Sequence, residues 1–393
     1  MLVAGEASGD ALGAGLAHAL RRRLGDDIRF VGVGGARMAE AGVQSPFDYA
    51  ELSVLGLLEG LAAYRRVVRR ADETAALAAR ERPDVAVLID SWGFTLRVAQ
   101  RLRRANRALP IIKYVGPQVW ASRPGRARTL AATVDHLLSI HSFDAPHFES
   151  AGLRTTFVGN PALHRDFSAA DDRRFRARIG AGEGDPVLLV LPGSRPGEIQ
   201  RVGPPFGDAV ARVKHGRPNL HVVVAAAETV APAVRALVAD WPAPVHLVES
   251  EADRLDAMRA ATVALACSGT VTTELALAGC PMLVGYRLGG LSYWMVKAII
   301  RTPWITLLNV AAQAEVVPEF VQGRCNGPTL ARAITERLDN PALRRRQIEA
   351  QNAALDRMGR GGPDPSEAAA EAVLSLLAKA NVPGLSRQDG LSS

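Results

Sequence analysis

Short apolar runs alternate with amphipathic stretches along the whole chain. The runs are rich in Val, Ile and Leu and do not alternate with polar residues, which is typical of parallel strands buried on both faces. We predict strands at residues 2–5, 29–33, 85–90, 111–115, 137–140, 155–158, 187–191, 221–225, 245–248, 263–266 and 282–286. Because helical patterns lie between them, we expect an α/β fold with two doubly wound, Rossmann-like parallel-sheet domains.

A charged and glycine-rich segment, residues 160–185, separates the two series of strands and is typical of a domain boundary. We therefore predict one domain over residues 1–165 and a second over 166–358. A last helix, at 359–380, is expected to pack back on the first domain, and the polar residues 381–393 are expected to be a disordered tail. Two such domains facing a cleft form the architecture called GT-B. A periplasmic-binding-protein-like pair is the alternative.

The composition is that of a globular protein, with 48% hydrophobic and 22% charged residues. The N-terminus has no basic and apolar leader, so we expect no signal peptide. The most apolar stretch, residues 288–310, is interrupted by Lys297 and Arg301, so we expect no membrane-spanning helix. The three cysteines form no C-x-x-C pair, which favours a reducing, cytoplasmic compartment.

The positive charge is unevenly distributed. The chain carries a net charge of +7, and residues 1–165 hold 22 Lys and Arg against 16 Asp and Glu. A basic face attracts nucleic acid, anionic lipid or a phosphorylated substrate. No zinc finger or RNA-binding signature is present, so we expect no nucleic-acid partner.

One predicted helix of the first domain combines an apolar face with a basic cluster. Its residues of interest are Leu57, Leu61, Tyr64, Arg65, Arg66, Arg69 and Arg70. The pattern is typical of an interfacial helix on an anionic membrane surface. It is also typical of a core-facing helix with a solvated face. The basic cluster favours membrane contact.

Two candidate ligand sites follow strands of the first domain. Glu6, Ser8, Gly9 and Asp10 follow the first strand and open a helix, where small residues let a ligand approach free N–H groups. Asp90 ends a buried strand, a position that suits a general base. Alternatively, Ser8 and Asp10 are ordinary N-caps, and Asp90 caps the helix that follows it.

Two further candidate sites follow strands of the second domain. They comprise Gly193, Ser194 and Arg195, and then Ser268, Gly269, Thr270 and Glu274. Backbone N–H groups and Arg195 can hold a diphosphate, and Glu274 can accept hydrogen bonds from ribose hydroxyls. Alternatively, the second stretch is only a capped helix with an acidic first turn.

Several motifs are absent from the sequence. There is no G-x-x-x-x-G-K-[ST], no D-x-D and no G-x-S-x-G, and the eight histidines show no metal-ligand spacing. We therefore expect neither a metal nor another cofactor.

Together and in this order, the stretches resemble the lipid-A-disaccharide synthases, which are inverting GT-B glycosyltransferases. The matching stretches are residues 3–15, 30–38, 114–121, 191–195, 268–274, 281–287 and 317–322. The resemblance covers roughly residues 1–340. It departs from the family pattern at Gly93, Ser122, Asn160 and Leu308, mostly on the acceptor side.

The resemblance implies a reaction. The family joins UDP-2,3-diacylglucosamine to 2,3-diacylglucosamine 1-phosphate, forming a β(1→6) disaccharide for lipid A (lipopolysaccharide) in Gram-negative bacteria and releasing UDP. It implies a first domain that binds the acceptor, a second that binds UDP, no cofactor, and a peripheral location on the cytoplasmic face of the inner membrane. The oligomeric state stays open.

The resemblance also implies residue roles. Asp90 and Glu6 match catalytic carboxylates, the second-domain stretches with Arg287 match the nucleotide site, and Asn309 joins the acceptor or cleft residues Ser8, Gly9 and Asp10. The alternatives are another inverting UDP-sugar GT-B enzyme, an epimerase, or a non-catalytic UDP-binding homologue.

Overall fold

The computed structural model describes residues 1–52, 60–289 and 299–380. These residues form two compact units. The first unit comprises Met1–Pro161 together with the segment from Gly362 onwards, and the second comprises Ala162–Gly361. The predicted tail at 381–393 lies outside the described residues.

The first unit is built on a six-stranded parallel sheet with the order β2-β1-β3-β4-β5-β6. Its strands are β1 Leu2–Ala4, β2 Gly32–Val33, β3 Ala86–Ile89, β4 Ile111–Tyr114, β5 His136–Ser139 and β6 Thr155–Phe157. Its helices up to the boundary are α1 Ala7–Leu24, α2 Ala36–Glu40, α3 Gly60–Glu81, α4 Trp92–Ala105, α5 Gly125–Ala131 and α6 Ala145–Glu149.

The second unit repeats this architecture with a six-stranded parallel sheet in the order β12-β11-β10-β7-β8-β9. Its strands are β7 Val187–Leu191, β8 His221–Ala225, β9 His246–Val248, β10 Val263–Cys267, β11 Met282–Tyr286 and β12 Glu319–Val321. Its helices are α7 Asp172–Arg178, α8 Pro196–His215, α9 Ala231–Ala239, α10 Glu251–Ala260, α11 Val271–Leu277, α12 Leu307–Ala312, α13 Gly327–Asp339 and α14 Pro341–Arg357.

The last helix, α15 Pro365–Ala380, belongs to the first unit and packs against α1. Ala369 and Val373 on its inner face are buried. Arg22 and Arg23 of α1 both donate hydrogen bonds to the Glu367 carboxylate. The chain thus leaves the first unit for the second and returns to complete it.

The central strands are buried on both faces, as their continuous apolar sequences require. Their register aligns the carboxyl ends: Ile89 of β3 pairs with Tyr114 of β4, which pairs with Leu138 of β5. The residues that follow these strands therefore lie along one edge of the sheet, where ligands bind in open α/β folds.

The structure confirms the predicted α/β class with two Rossmann-like sheets. The predicted strands are present, with ends shifted by one residue in most cases and with β2 reduced to Gly32–Val33. Sequence reasoning missed β12, a three-residue strand at a sheet edge. Within the described residues, no helix is long and apolar enough to cross a bilayer.

Candidate active site

The Asp90 carboxylate lies at the carboxyl edge of the first sheet, directly after β3. The Ser8 hydroxyl, in the first turn of α1, donates to its Oδ2 atom at 2.6 Å. Asp90 and Ser91 have left-handed backbones, with φ of 50° and 40°, and therefore form a sharp turn out of the strand. A Cβ added at Gly9 would lie 3.3 Å from the Ile89 carbonyl oxygen, so a small residue here lets α1 approach this turn.

A buried lysine is hydrogen-bonded to the backbone of the Asp90 turn. The ammonium of Lys113, on β4, donates to the Asp90 carbonyl oxygen and to Oγ1 of Thr95 at 2.8 Å. Burial lowers the pKa of Lys113 to about 7, although the charges of Asp90 and Glu6 oppose the shift. Lys113 was not among the predicted site residues. Its only sequence signal is a charge inside the apolar run Ile-Ile-Lys-Tyr.

The second predicted carboxylate, Glu6, is exposed and stands at the N-cap position of α1 without making a side-chain capping bond. Its charge acts on Lys113, as that of Asp90 does. Both carboxylates therefore belong to the same edge of the first sheet. The alternative that Asp90 is a helix cap does not hold, because Ser91 occupies the N-cap of α4.

Asp10 has a structural role in the first unit. It is buried, and its carboxylate accepts hydrogen bonds from the backbone N–H groups of Gly35, Arg37 and Met38 at 2.7, 3.2 and 3.1 Å. It thus caps the start of α2, and its role as an acceptor or cleft residue stays a prediction. Ser8 and Asp10 both lie inside α1, so neither is the N-cap of that helix.

In the second unit, a pocket opens at the carboxyl ends of β7 and β10. It is lined by the predicted residues Gly193, Ser194, Ser268, Gly269, Thr270 and Glu274, and also by Leu191, Glu198, Ala225, Ala227, Arg254, Cys267 and Val271. The first N–H groups of a helix have no acceptor within the helix, so the small-residue turn before α11 presents donors to this pocket. The arrangement suits a diphosphate.

Glu274 stands between two arginines at one side of the pocket. Its Oε1 atom lies 3.8 Å from Nε of Arg165 and 3.7 Å from Nη2 of Arg254. The buried Nε atoms of both arginines have no hydrogen-bond partner. Arg254 lines the pocket and therefore adds a positive charge to its wall. Sequence reasoning missed Arg254, because the charged sequence of its helix, Glu251–Ala260, is typical of a helix exposed to solvent.

The turn after β7 forms another wall. Gly193 has a φ of 119°, and an added Cβ would lie 3.0 Å from Oε2 of Glu198, so the position requires glycine. The Ser194 N–H donates to the same oxygen at 3.3 Å. Arg195 is not among the pocket-lining residues, and 80% of its side chain is exposed, which leaves its guanidinium accessible to a ligand.

The two remaining predicted residues of this unit do not line the pocket. Arg287 follows β11, and its charge counters part of the rise that burial causes in the pKa of the Cys325 thiol. Asn309 is fully buried, and its Nδ2 atom donates to the Val317 carbonyl oxygen at 2.7 Å and to Glu319 at 2.8 Å. These internal bonds tie α12 to the segment before β12. The role of Asn309 as an acceptor or cleft residue stays a prediction.

The predicted membrane-contacting residues do not form one surface. Arg70 is largely buried, with 16% of its side chain exposed, and it pairs with Glu51 and Glu73. Its guanidinium also lies 4.5 Å above the Phe47 ring. Arg70 therefore has a structural role, and its contact with lipid stays a prediction. Leu57 lies outside the described residues, as does the side chain of Leu61.

Near the start of α3, some of the predicted membrane-contacting residues are exposed. Tyr64 is 52% exposed, and Arg97 lies 5.0 Å above its ring. Arg65 and Arg69 are exposed, and Arg69 is 3.7 Å from Glu73. Arg66 is partly buried and donates weakly, at 3.4 Å, to the Glu51 carbonyl oxygen.

Within the described residues, no group of three or more His, Cys, Asp or Glu side chains could hold a metal ion.

Solved structures share the fold at low sequence identity. The S. aureus MnaA–UDP co-structure matches with a TM-score of 0.63 and 16% identity, covering 95% of this chain and 94% of that one. UDP-GlcNAc 2-epimerase from Neisseria meningitidis, bound to UDP-GlcNAc, matches with a TM-score of 0.57 and 12% identity, covering 96% and 98%. These likenesses show the two-domain fold alone.

Sequence comparison identifies the family. Residues 1–373 match the family described as lipid-A-disaccharide synthetase. The lipid-A-disaccharide synthase of Rhodospirillum centenum is 42% identical over 378 residues, covering 96% of this chain and 94% of that one. Those of Nitrobacter winogradskyi and Ruegeria pomeroyi are 41% and 40% identical, each over 96% of this chain and 95% and 94% of their own. The chain therefore belongs to the lipid-A-disaccharide synthase family.

Proposed function

We propose that this protein transfers 2,3-diacylglucosamine from UDP to the 6-hydroxyl of 2,3-diacylglucosamine 1-phosphate. The products are the β(1→6) lipid A disaccharide 1-phosphate and UDP. Family membership supports a glycosyltransferase with a UDP-sugar donor and a sugar-phosphate acceptor. The observation that carries the chemistry is the Asp90 carboxylate, held by Ser8 at the ligand-binding edge of the first sheet.

On the donor side, the pocket of the second unit supports a UDP site. The N–H groups at Gly269 and Thr270 and the guanidinium of Arg195 hold the diphosphate, and Glu274 accepts from the ribose hydroxyls. Arg254 adds a buried cationic donor. As the bond to the sugar breaks, negative charge grows on the leaving UDP. These preorganised donors stabilise that charge in the transition state.

On the acceptor side, Asp90 acts as the general base. The acceptor's 6-hydroxyl oxygen attacks the anomeric carbon of the donor sugar, its proton passes to the Asp90 carboxylate, and the anomeric C–O bond to UDP breaks with inversion. Ser8 fixes the orientation of the carboxylate. Positioned base catalysis contributes about 10²–10⁴-fold to the rate. Glu6, which is exposed at the same edge, is the second candidate for this role.

Acyl chains on both substrates require access to a membrane, so we place the protein peripherally on the cytoplasmic face of the inner membrane. Tyr64, Arg65 and Arg69 are exposed near the start of α3, where they offer an aromatic ring and cationic groups to an anionic surface.

The test is product analysis with purified protein, both substrates and detergent. We expect a disaccharide 1-phosphate with a β(1→6) linkage, established by mass spectrometry and NMR. In parallel, plain UDP-N-acetylglucosamine is incubated alone. Formation of its 2-epimer, with no disaccharide from the acylated pair, would show an epimerase instead. UDP binding without turnover of either donor would show a non-catalytic homologue.

A further inference from the structure

Two arginines of the first unit lie together without an acidic partner. Arg123 and Arg126 follow β4, and the Arg126 backbone N–H donates to the Arg123 carbonyl oxygen at 3.0 Å, so one turn carries both side chains. No carboxylate of the described residues forms an ion pair with either guanidinium. Some other arginines of this unit are paired, as Arg101 is with Asp72 and Arg103 is with Asp135.

Arg126 is held in a defined place, whereas Arg123 is exposed. Arg126 is partly buried, and its guanidinium lies 5.2 Å above the ring of Trp92. Burial and the neighbouring charge of Arg123 both lower the pKa of Arg126, and no acidic group opposes them. Two close cations with no anion between them repel each other, and a bound anion would remove this repulsion.

The pair also lies close to the proposed base. Trp92 begins α4 directly after Asp90 and Ser91, and Arg126 covers its ring. The strand before the arginines, β4, is the hydrogen-bonded neighbour of β3, which ends at Asp90. An anion bound by the pair would therefore share the ligand-binding edge of the first sheet with Asp90.

We propose that Arg123 and Arg126 form a phosphate-monoester subsite that binds the acceptor's 1-phosphate. The inference rests on the proposed function, because it assigns a part of the acceptor to these side chains. A planar guanidinium group can donate two parallel hydrogen bonds to phosphate oxygens. The Trp92 ring keeps the Arg126 guanidinium in one orientation. Holding the phosphate at one end of the sugar would direct its 6-hydroxyl, at the other end, to Asp90.

The experiment compares two acceptors, 2,3-diacylglucosamine 1-phosphate and the same sugar without phosphate, in detergent free of phospholipid. The wild type should prefer the phosphorylated acceptor by roughly 10- to 100-fold in kcat/KM, the effect of charge-assisted hydrogen bonds. Arg123→Ala and Arg126→Ala should each reduce this preference several-fold, and together bring it close to one, with the donor KM unchanged. Arg128→Ala, an exposed arginine on the same helix, is the matched control and should keep the wild-type preference.

Three results would overturn the subsite: a wild type indifferent to the phosphate, variants that keep the full preference, or variants that lose only binding to anionic vesicles. The last result would mean that the pair binds lipid headgroups. If the wild type turns over neither acceptor, the proposed function has failed. Calorimetric binding of the two acceptors to the same variants then decides the subsite on its own. Loss of phosphate-dependent binding would support it, and unchanged binding would refute it.

Discussion

The Ser8 hydroxyl and the Asp90 carboxylate are 82 residues apart in the chain and 2.6 Å apart in the fold. Ser8 follows β1 and Asp90 follows β3, and these strands are hydrogen-bonded neighbours. The contact therefore results from the strand order β2-β1-β3 and from the small residues that let α1 approach the end of β3. It gives the proposed base one orientation before any substrate binds.

Replacing Asp90 by Asn should lower kcat by about 10²–10⁴-fold, because the amide cannot accept the hydroxyl proton. Affinity for UDP, measured by calorimetry, should not change, since the donor pocket is built from the second unit. Glu6→Gln is the matched variant at the same edge. A large loss of kcat in Glu6→Gln, with near-normal kcat in Asp90→Asn, would show that Glu6 is the base.

Arg254→Ala should weaken UDP binding by roughly 10- to 100-fold, because Arg254 lines the donor pocket with a positively charged side chain. Arg259→Ala removes an exposed arginine from the same helix and is the control. Calorimetry measures the UDP affinity of both variants. Equal affinities of the two variants would exclude Arg254 from the donor site.

Lys113→Met should change how stability depends on pH. The pKa of Lys113 falls from 10.5 in the unfolded chain to about 7 in the fold. Between these values the unfolded chain holds a proton that the folded protein has released, so the wild type gains stability as the pH rises through this window. The variant lacks this gain. From pH 7 to pH 9, the free energy of unfolding of the wild type should rise relative to the variant by about 2–3 kcal/mol.

Urea unfolding at both pH values measures this difference. Lys214→Met is the control, because Lys214 also donates to backbone carbonyl oxygens but is only partly buried. The same pH dependence in the wild type and Lys113→Met would show that Lys113 keeps its proton beneath the Asp90 turn.

Arg65→Glu combined with Arg69→Glu should reduce flotation with anionic vesicles, because each basic residue near such a surface contributes about 1 kcal/mol. The binding of the wild type should weaken with added salt. Arg80→Glu, an exposed arginine at the far end of the same helix, is the control. Unchanged flotation of the double variant would remove α3 from the membrane-contacting surface.

The sheets could be predicted from the sequence because central parallel strands are continuous apolar runs, as in Val187–Leu191 and His221–Ala225. The strand β12 could not, because it has only three residues and carries the buried acid Glu319, which bonds to Asn309 and Thr306. A strand of three residues that contains an acidic side chain is too short to carry a periodic signal.

The position of the candidate site could be predicted from the sequence, but the burial and contacts of its residues could not. Strand ends and small-residue turns located Asp90 and Ser268–Thr270, since ligands bind at the carboxyl edge of such sheets. The pattern could not distinguish an open carboxylate such as Glu6 from a buried one such as Asp10, because the difference depends on the distant N–H groups of α2. Nor could it single out Lys113 and Arg254, whose importance comes from burial.

The most direct test of the account is UDP release from the purified protein given UDP-2,3-diacylglucosamine in detergent, with and without 2,3-diacylglucosamine 1-phosphate. We predict that UDP release requires the acceptor, proceeds in step with disaccharide formation, and falls by about 10²–10⁴-fold in Asp90→Asn. Absence of UDP release in folded protein that binds UDP, or release at the same rate without the acceptor, would contradict the proposed transfer reaction.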